Sequence, residues 1–127
     1  MCRDNRPYLV SMNYGFDENA NCFYLHASPL GKEIDYLQAN PNVWGQIVHD
    51  LGYMHGHCEH AYRSVMFQAI AEFLTDAAEK LSVFEMMIDA QESAPAPLKQ
   101  RLSLERVGGV AVIRLRLLSM EGKFHCG

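Results

Sequence analysis

No stretch of this sequence approaches the roughly 18 consecutive apolar residues that a membrane-spanning helix requires, and its start, "MCRDNRPY", carries charges where a signal peptide needs an apolar run. Basic residues are scarce. Eleven Lys and Arg stand against fifteen Asp and Glu, a formal net charge of −4. A chain of this balance, without a basic stripe, is not built to bind nucleic acid, and any anionic ligand must be held by a few local cations. The four cysteines, Cys2, Cys22, Cys58 and Cys126, form no C-x-x-C pair. With no export signal they are expected as reduced thiols in a cytoplasmic protein. There is no H-E-x-x-H spacing, no internal repeat and no low-complexity tract. What is present is 127 residues, 49% hydrophobic and 20% charged, which suits one domain with a single core over residues 1–127.

The first half reads as strands. In "PYLVSMNY" (7–14), Tyr8, Val10, Met12 and Tyr14 alternate with Leu9, Ser11 and Asn13. "DENAN" (17–21) supplies turn residues and "CFYLHA" (22–27) the returning strand, so 7–27 reads as a hairpin. "SPLGKEIDYLQANP" (28–41) changes to a helical period and ends at Pro41. "VWGQIVH" (43–49) is a strand, and 50–60 a loop. Residues 61–74 form a long strand with Val65, Phe67, Ala69 and Phe73 on one face and Met66 and Ile70 on the other. "TDAAEKLSVFEMMIDAQ" (75–91) is the clearest helix. Asp76 and Glu79 have capping-box spacing, and Leu81, Phe84 and Ile88 make its apolar stripe. A short helical piece ending by Gly108 and a strand over 110–118, with Ile113, Leu115 and Leu117 inward, complete the chain. Strands joined by tight turns, with few helices, favour a small antiparallel barrel over a doubly wound sheet.

The loop holds "HGHCEH": His55, His57, Cys58 and His60. A zinc site needs three or four converging ligands. In an extended segment His55 and His57 face away from Cys58 and His60, and Gly52 and Gly56 loosen the loop. A polar hairpin loop beside a ligand pocket is the preferred reading, and no metal ligand is assigned.

Three other segments carry complementary chemistry: "VSMNYG", "YLHASPLGK" and "YRSV". Ser28, the backbone N–H groups of a helix start and Lys32 can cradle a phosphate. Arg63 can add a bidentate contact. Tyr14, Tyr62 and Trp44 can cover aromatic surface. Each has a plainer reading too. Lys32 can be a solvated helix lysine, Arg63 can pair with Glu72 or Glu59, and His26 can be structural.

In the order and spacing of "RPYLVSMNYGFDENANCFYLHASPLGKEIDYLQANPNV", "CEHAYRSVMFQAIAEFLTDAAEKL" and "VAVIRLRLLSMEGK", the chain resembles the FMN-binding split barrels related to pyridoxamine 5′-phosphate oxidase, in particular their nitroimidazole-resistance-like branch. The resemblance covers nearly the whole chain. It implies a mainly β fold, an antiparallel six-stranded split β-barrel with flanking helices, and a homodimer with FMN at the subunit interface. It implies that Val10, Ser11, Met12, Asn13 and Tyr14 line the isoalloxazine and ribityl chain. His26, Ala27 and Ser28 border the ribityl-phosphate, Lys32 binds phosphate, and Tyr62, Arg63 and Ser64 meet the flavin from the long strand. The oxidase carries a glutamine at the position of Ser64, and serine is typical of this branch.

Two departures qualify the likeness. The family's N-terminal helix and complete first strand have no counterpart here, since "MCRDNRP" looks like the turn that follows that strand. The oxidase's C-terminal substrate segment is also absent, so oxidation of pyridoxine phosphate is not expected. The expected function is an FMN-dependent oxidoreductase acting on a small acceptor such as a nitro compound or quinone. His26 is the only candidate for a catalytic proton donor. The alternatives are a flavin or haem carrier or sensor without turnover, and a metal protein using "HGHCEH".

Overall fold

The computed structural model describes residues 1–126. Strands β1 (Cys2–Arg3) and β2 (Arg6–Pro7) form a hairpin closed by Asp4 and Asn5, whose φ angles are 50° and 61°. That is the left-handed geometry of a tight two-residue turn, which Asp and Asn tolerate. The other strands form one antiparallel sheet in the order β3 (Tyr14–Asp17), β4 (Cys22–Ala27), β7 (Ala111–His125), β6 (Glu59–Phe73), β5 (Asn42–Met54). Helix α1 (Lys32–Ala39) joins β4 to β5. Helices α2 (Ala77–Gln91), α3 (Ala96–Lys99) and α4 (Leu104–Gly108) lie between β6 and β7. This is the mainly β split barrel, with five strands in the curled sheet and a separate hairpin where six strands were expected.

Apolar side chains cover both faces of the sheet. On the α1 side Phe23, Ile34, Leu37, Val43, Phe67, Ala69, Ile113, Leu115 and Leu117 form the larger cluster. On the α2 side Cys22, Tyr24, Leu74, Val83, Met87 and Val112 form the second. The two clusters alternate along β7: Ile113 and Leu115 face one way, Val112 the other, as a strand's period of two dictates. Burial pushes the Cys22 thiol pKa up, so this cysteine is an inert core residue.

The structure departs from the sequence reading in three places. Residues 8–13 are not a strand; the ladder with β4 begins only at Tyr14, opposite Leu25. Their alternating pattern is real, but extended backbone becomes a strand only beside a hydrogen-bonding neighbour; Tyr8 bonds Met1, and 9–13 have no such neighbour here. The loop 50–60 shrinks to residues 55–58, because β5 and β6 continue pairing to Met54 and Glu59. Gly52, at φ 101°, sits at a register shift within the ladder and does not end it. Strand β7 likewise runs on past 118 to His125. Beyond the barrel, β5, β6 and β7 thus form a three-stranded arm.

Helix α2 is also rotated from its expected stripe. Lys80, Val83 and Met87 are buried, while Leu81, Phe84 and Ile88 are half-buried at its flanks. Met87 fits because Gly15 of β3 has no side chain there; a Cβ on Gly15 would lie 2.6 Å from Met87 Cγ. Lys80 tolerates burial because its ammonium donates to Val110 O at 2.9 Å. Asp76 caps the helix by accepting from Ala78 N, but Glu79 turns away from the capping box to pair with Arg114. Glu72 of β6 completes this network, accepting from Arg116 Nε at 2.9 Å and Arg114 Nη1 at 3.4 Å.

Two outcomes are expected. The Phe67 ring lies over Gly45, and a Cβ there would overlap it. Gly45→Ala therefore lowers unfolding free energy by about 1–3 kcal/mol through overpacking, read by urea denaturation. The Arg116 hydrogen bond, followed by that of Arg114, holds the Glu72 carboxyl below the usual carboxylate range. A lowered folded-state pKa gives stability that is present above the unfolded value of about 4.3 and lost as pH falls through the folded one. Glu72→Gln thus melts below the wild type at pH 7, and the gap closes as both are titrated to acid.

Candidate functional site

An open groove of about 810 Å³ lies between residues 8–12 and β5. Consecutive residues Val43–Val48 line it, so β5 presents its unpaired edge and not one face. Val10, Ser11, Met12 and Tyr14 line the opposite wall, with Phe23, Leu25 and Phe67 beneath. The lining is mainly apolar, and the volume lies within the range of about 300–1,000 Å³ typical of small-molecule sites. Trp44, 61% exposed, stands at this edge as a rim residue and not as core.

Asn13 points elsewhere. With His26 it lines a smaller pocket of about 190 Å³ beneath α2, completed by Phe84, Met87, Ile88, Gln91 and Glu92. The His26 ring is 5.2 Å from that of Phe84. Gln91, which the sequence did not mark, donates from Nε2 to Tyr14 O at 2.9 Å and ties the end of α2 to the start of β3. His26 follows Leu25 on β4, so period two sends Leu25 into the large groove and His26 to the α2 side.

Ala27 ends β4 opposite Ala111, and Ser28 accepts from Leu30 N at 3.4 Å. Lys32 opens α1, exposed, with its ammonium 4.5 Å from the Tyr8 ring centroid. Glu33 and Asp35 occupy the first turn of that helix and oppose an anion there. The Lys32 ammonium, and not the helix dipole, is therefore the cation this end offers a phosphate.

Tyr62, Arg63 and Ser64 lie on the arm at the far end of β6. Neighbours on a strand face opposite ways, so Arg63 shares no face with Tyr62 and Ser64. Ser64 is buried and its hydroxyl donates to Lys123 O at 3.3 Å, committing it within the sheet. Arg63 is exposed and, among the described residues, makes no ion pair. Both partners considered for it are engaged elsewhere, Glu72 with Arg114 and Arg116, and Glu59 with His125 at 2.6 Å. The histidines of the hairpin are exposed; the rings of His55 and His60 stand edge-on to Tyr53 at 5.1 and 5.2 Å. Among the described residues no group of three His, Cys, Asp or Glu converges to hold a metal ion.

Among the positions matched to a flavin, Ala27 and Arg63 face different ends of β7. Ala27 lies opposite Ala111 and Arg63 opposite Phe124, about 40 Å apart measured along the strand. The groove itself runs from Tyr8 to Val48, which lies opposite Ser64 of β6.

A family model described as pyridoxamine 5′-phosphate oxidase matches residues 1–124, and the chain belongs to that family. No curated protein matches it. Among solved structures it is similar to a protein of Bacteroides thetaiotaomicron provisionally described as a 5-nitroimidazole antibiotic resistance protein, at 29% identity over 94% of this chain and 69% of that one, with a TM-score of 0.72. It is also similar to a FAD-binding protein of Mesorhizobium loti, at 23% identity over 98% and 82% of the two chains, TM-score 0.64. A FAD and heme binding protein of Mycobacterium smegmatis matches at 14% identity, covering 99% of this chain and 63% of that protein, TM-score 0.77. At these identities the last two show the fold alone. No helix among the described residues is long and apolar enough to cross a membrane.

The geometry of Ser64 gives a direct expectation. Ser64→Ala removes a buried hydroxyl and leaves Lys123 O without its donor, lowering stability by about 1 kcal/mol in chemical denaturation.

Proposed function

We propose that the chain is an FMN-binding oxidoreductase that works as a homodimer and passes electrons to a small acceptor such as a nitro compound or a quinone. The observation that carries this reading is the open, mainly apolar groove lined by Val10, Ser11, Met12 and Tyr14, combined with membership of the family. In the dimer, Arg63 on the arm of one copy would meet the flavin held by residues 10–14 and Lys32 of the other. The groove suits the ring: Val10, Met12 and Tyr14 offer apolar wall, and unpaired edge backbone offers hydrogen bonds.

When bound, FMN supplies two-electron redox chemistry, and the protein supplies placement and electrostatics. Lys32 would hold the single phosphate, Ser11 would hydrogen-bond the polar edge, and the apolar wall would keep water from the ring. His26 lines the separate pocket beneath α2, on the other face of β4 from the groove, and so lies away from an acceptor at the ring.

A second reading has an observation of its own. The hairpin tip carries three exposed histidines, His55, His57 and His60, and imidazole is a haem ligand. A Soret band on adding haem, lost when these are replaced, favours a haem carrier; an unchanged haem spectrum removes it.

The test of the main reading is the visible spectrum of the purified protein after FMN is added and the excess removed, read with its solution mass. Flavin bands at one per chain, on a species of twice the chain mass, are expected. A colourless monomer overturns the proposal. His26→Ala should keep the flavin bands and leave acceptor reduction unchanged, because His26 faces the α2 side of β4 and the flavin groove lies on the other.

A further inference from the structure

The pocket beneath α2 lies on the opposite face of β4 from the groove, and its polar side chains are unpartnered. His26 is half-buried, and Asn13 and Glu92 are exposed. Among the described residues, none of these three side chains makes a hydrogen bond or an ion pair. Gln91 differs, since its amide is tied to Tyr14 O and holds the end of α2 against β3.

The surroundings favour positive charge. The pocket lies at the last turn of α2, which carries no basic residue. A helix attracts cations at that end, because its last carbonyls have no helical donor and its dipole is negative there. Glu92, the C-cap, adds a carboxylate. No lysine or arginine is among the lining residues. The cations of α2 and α3 are engaged elsewhere, Lys80 with Val110 O and Lys99 with Asp89. The rings of His26 and Phe84, 5.2 Å apart and tilted by 47°, give aromatic surface, and Met87 and Ile88 give apolar surface.

We infer that this pocket binds a small organic cation carrying N–H donors, an alkylammonium or alkylguanidinium. Its charged end meets the Glu92 carboxylate and the negative end of α2, with an aromatic ring beside it, and its alkyl part lies on Met87 and Ile88. A neutral imidazole and the Asn13 amide each offer one further acceptor. A metal ion is a poorer match. The pocket presents one imidazole and one carboxylate, and among the described residues no three such groups converge. A volume of about 190 Å³ is the share of about six water molecules in the liquid, which restricts the ligand to a small molecule. The site does not depend on the flavin reading, which uses the groove on the other face. Sequence alone could not show it, because Glu92 meets Asn13 and His26 only through the packing of α2 on β3 and β4.

The test titrates the purified chain with propylammonium, 1-propanol and tetramethylammonium, read by calorimetry and by the ring protons of His26 and Phe84 in NMR. Propylammonium is expected to bind and to shift both rings. Propanol lacks the charge and tetramethylammonium lacks N–H donors, so each should bind at least about tenfold more weakly. Glu92→Gln should weaken propylammonium by about tenfold, whereas Glu85→Gln, on the same helix but outside the pocket, should not. Glu92→Gln should melt with the wild type, since that carboxylate has no partner to lose, which separates lost binding from lost fold. No binding of propylammonium, equal binding of propanol, an affinity that Glu92→Gln leaves unchanged, or an equal loss in Glu85→Gln overturns the inference. The affinity should be the same with and without added FMN; competition between the two overturns the assignment of a separate pocket, and a chain that holds no FMN leaves this titration intact.

Discussion

Everything in this fold depends on the pairing of β7. Along its first half it is sandwiched between β4 and β6, with Val112 and Ile113 among the least exposed residues of the chain. Leu117 N donates to Asn21 O, and beyond that bond β4 has turned away. From there β7 continues with β6 alone, and β5 completes the arm. One strand therefore builds the barrel with its first half and the projecting arm with its second. The register shift at Gln68 and Ala69 marks the transition.

The same pairing divides the charges. Arg114 and Arg116, on the barrel half, are used internally to fasten α2 and β6 through Glu79 and Glu72. Lys32 and Arg63 stand at opposite ends, exposed and without carboxylate partners among the described residues. In a chain of net charge −4, two such cations are the local means of holding an anion.

Much of the fold was legible in the sequence. The bounds of β4 follow from its turn residues and period, and those of α2 from the Asp76 cap and a long helical pattern. What was not legible depended on partners distant in sequence. Residues 8–13 alternate as a strand should, yet no neighbour pairs with 9–13. Gly52 and Gly56 both suggest loop, but Gly52 sits at a bulge within β5 and only Gly56 at the turn. The inward face of α2 could not be read from periodicity, because its buried stripe includes a lysine whose acceptor, Val110 O, lies 30 residues away. At the site, Arg63 and Ser64 read as one unit, but period two sends them to opposite faces and Ser64 is spent on Lys123 O.

The central claim, that each ligand site is shared between two copies, is tested most directly by mixing Lys32→Ala chains with Arg63→Ala chains and measuring retained FMN. In a mixed dimer one site lacks both cations and the other has both. Each variant alone is expected to lose FMN, and unfolding and refolding them together should restore up to about a quarter of the sites, as random pairing in a two-fold dimer dictates. No recovery on mixing, with each variant properly folded, would place both cations in one copy's site and contradict the account.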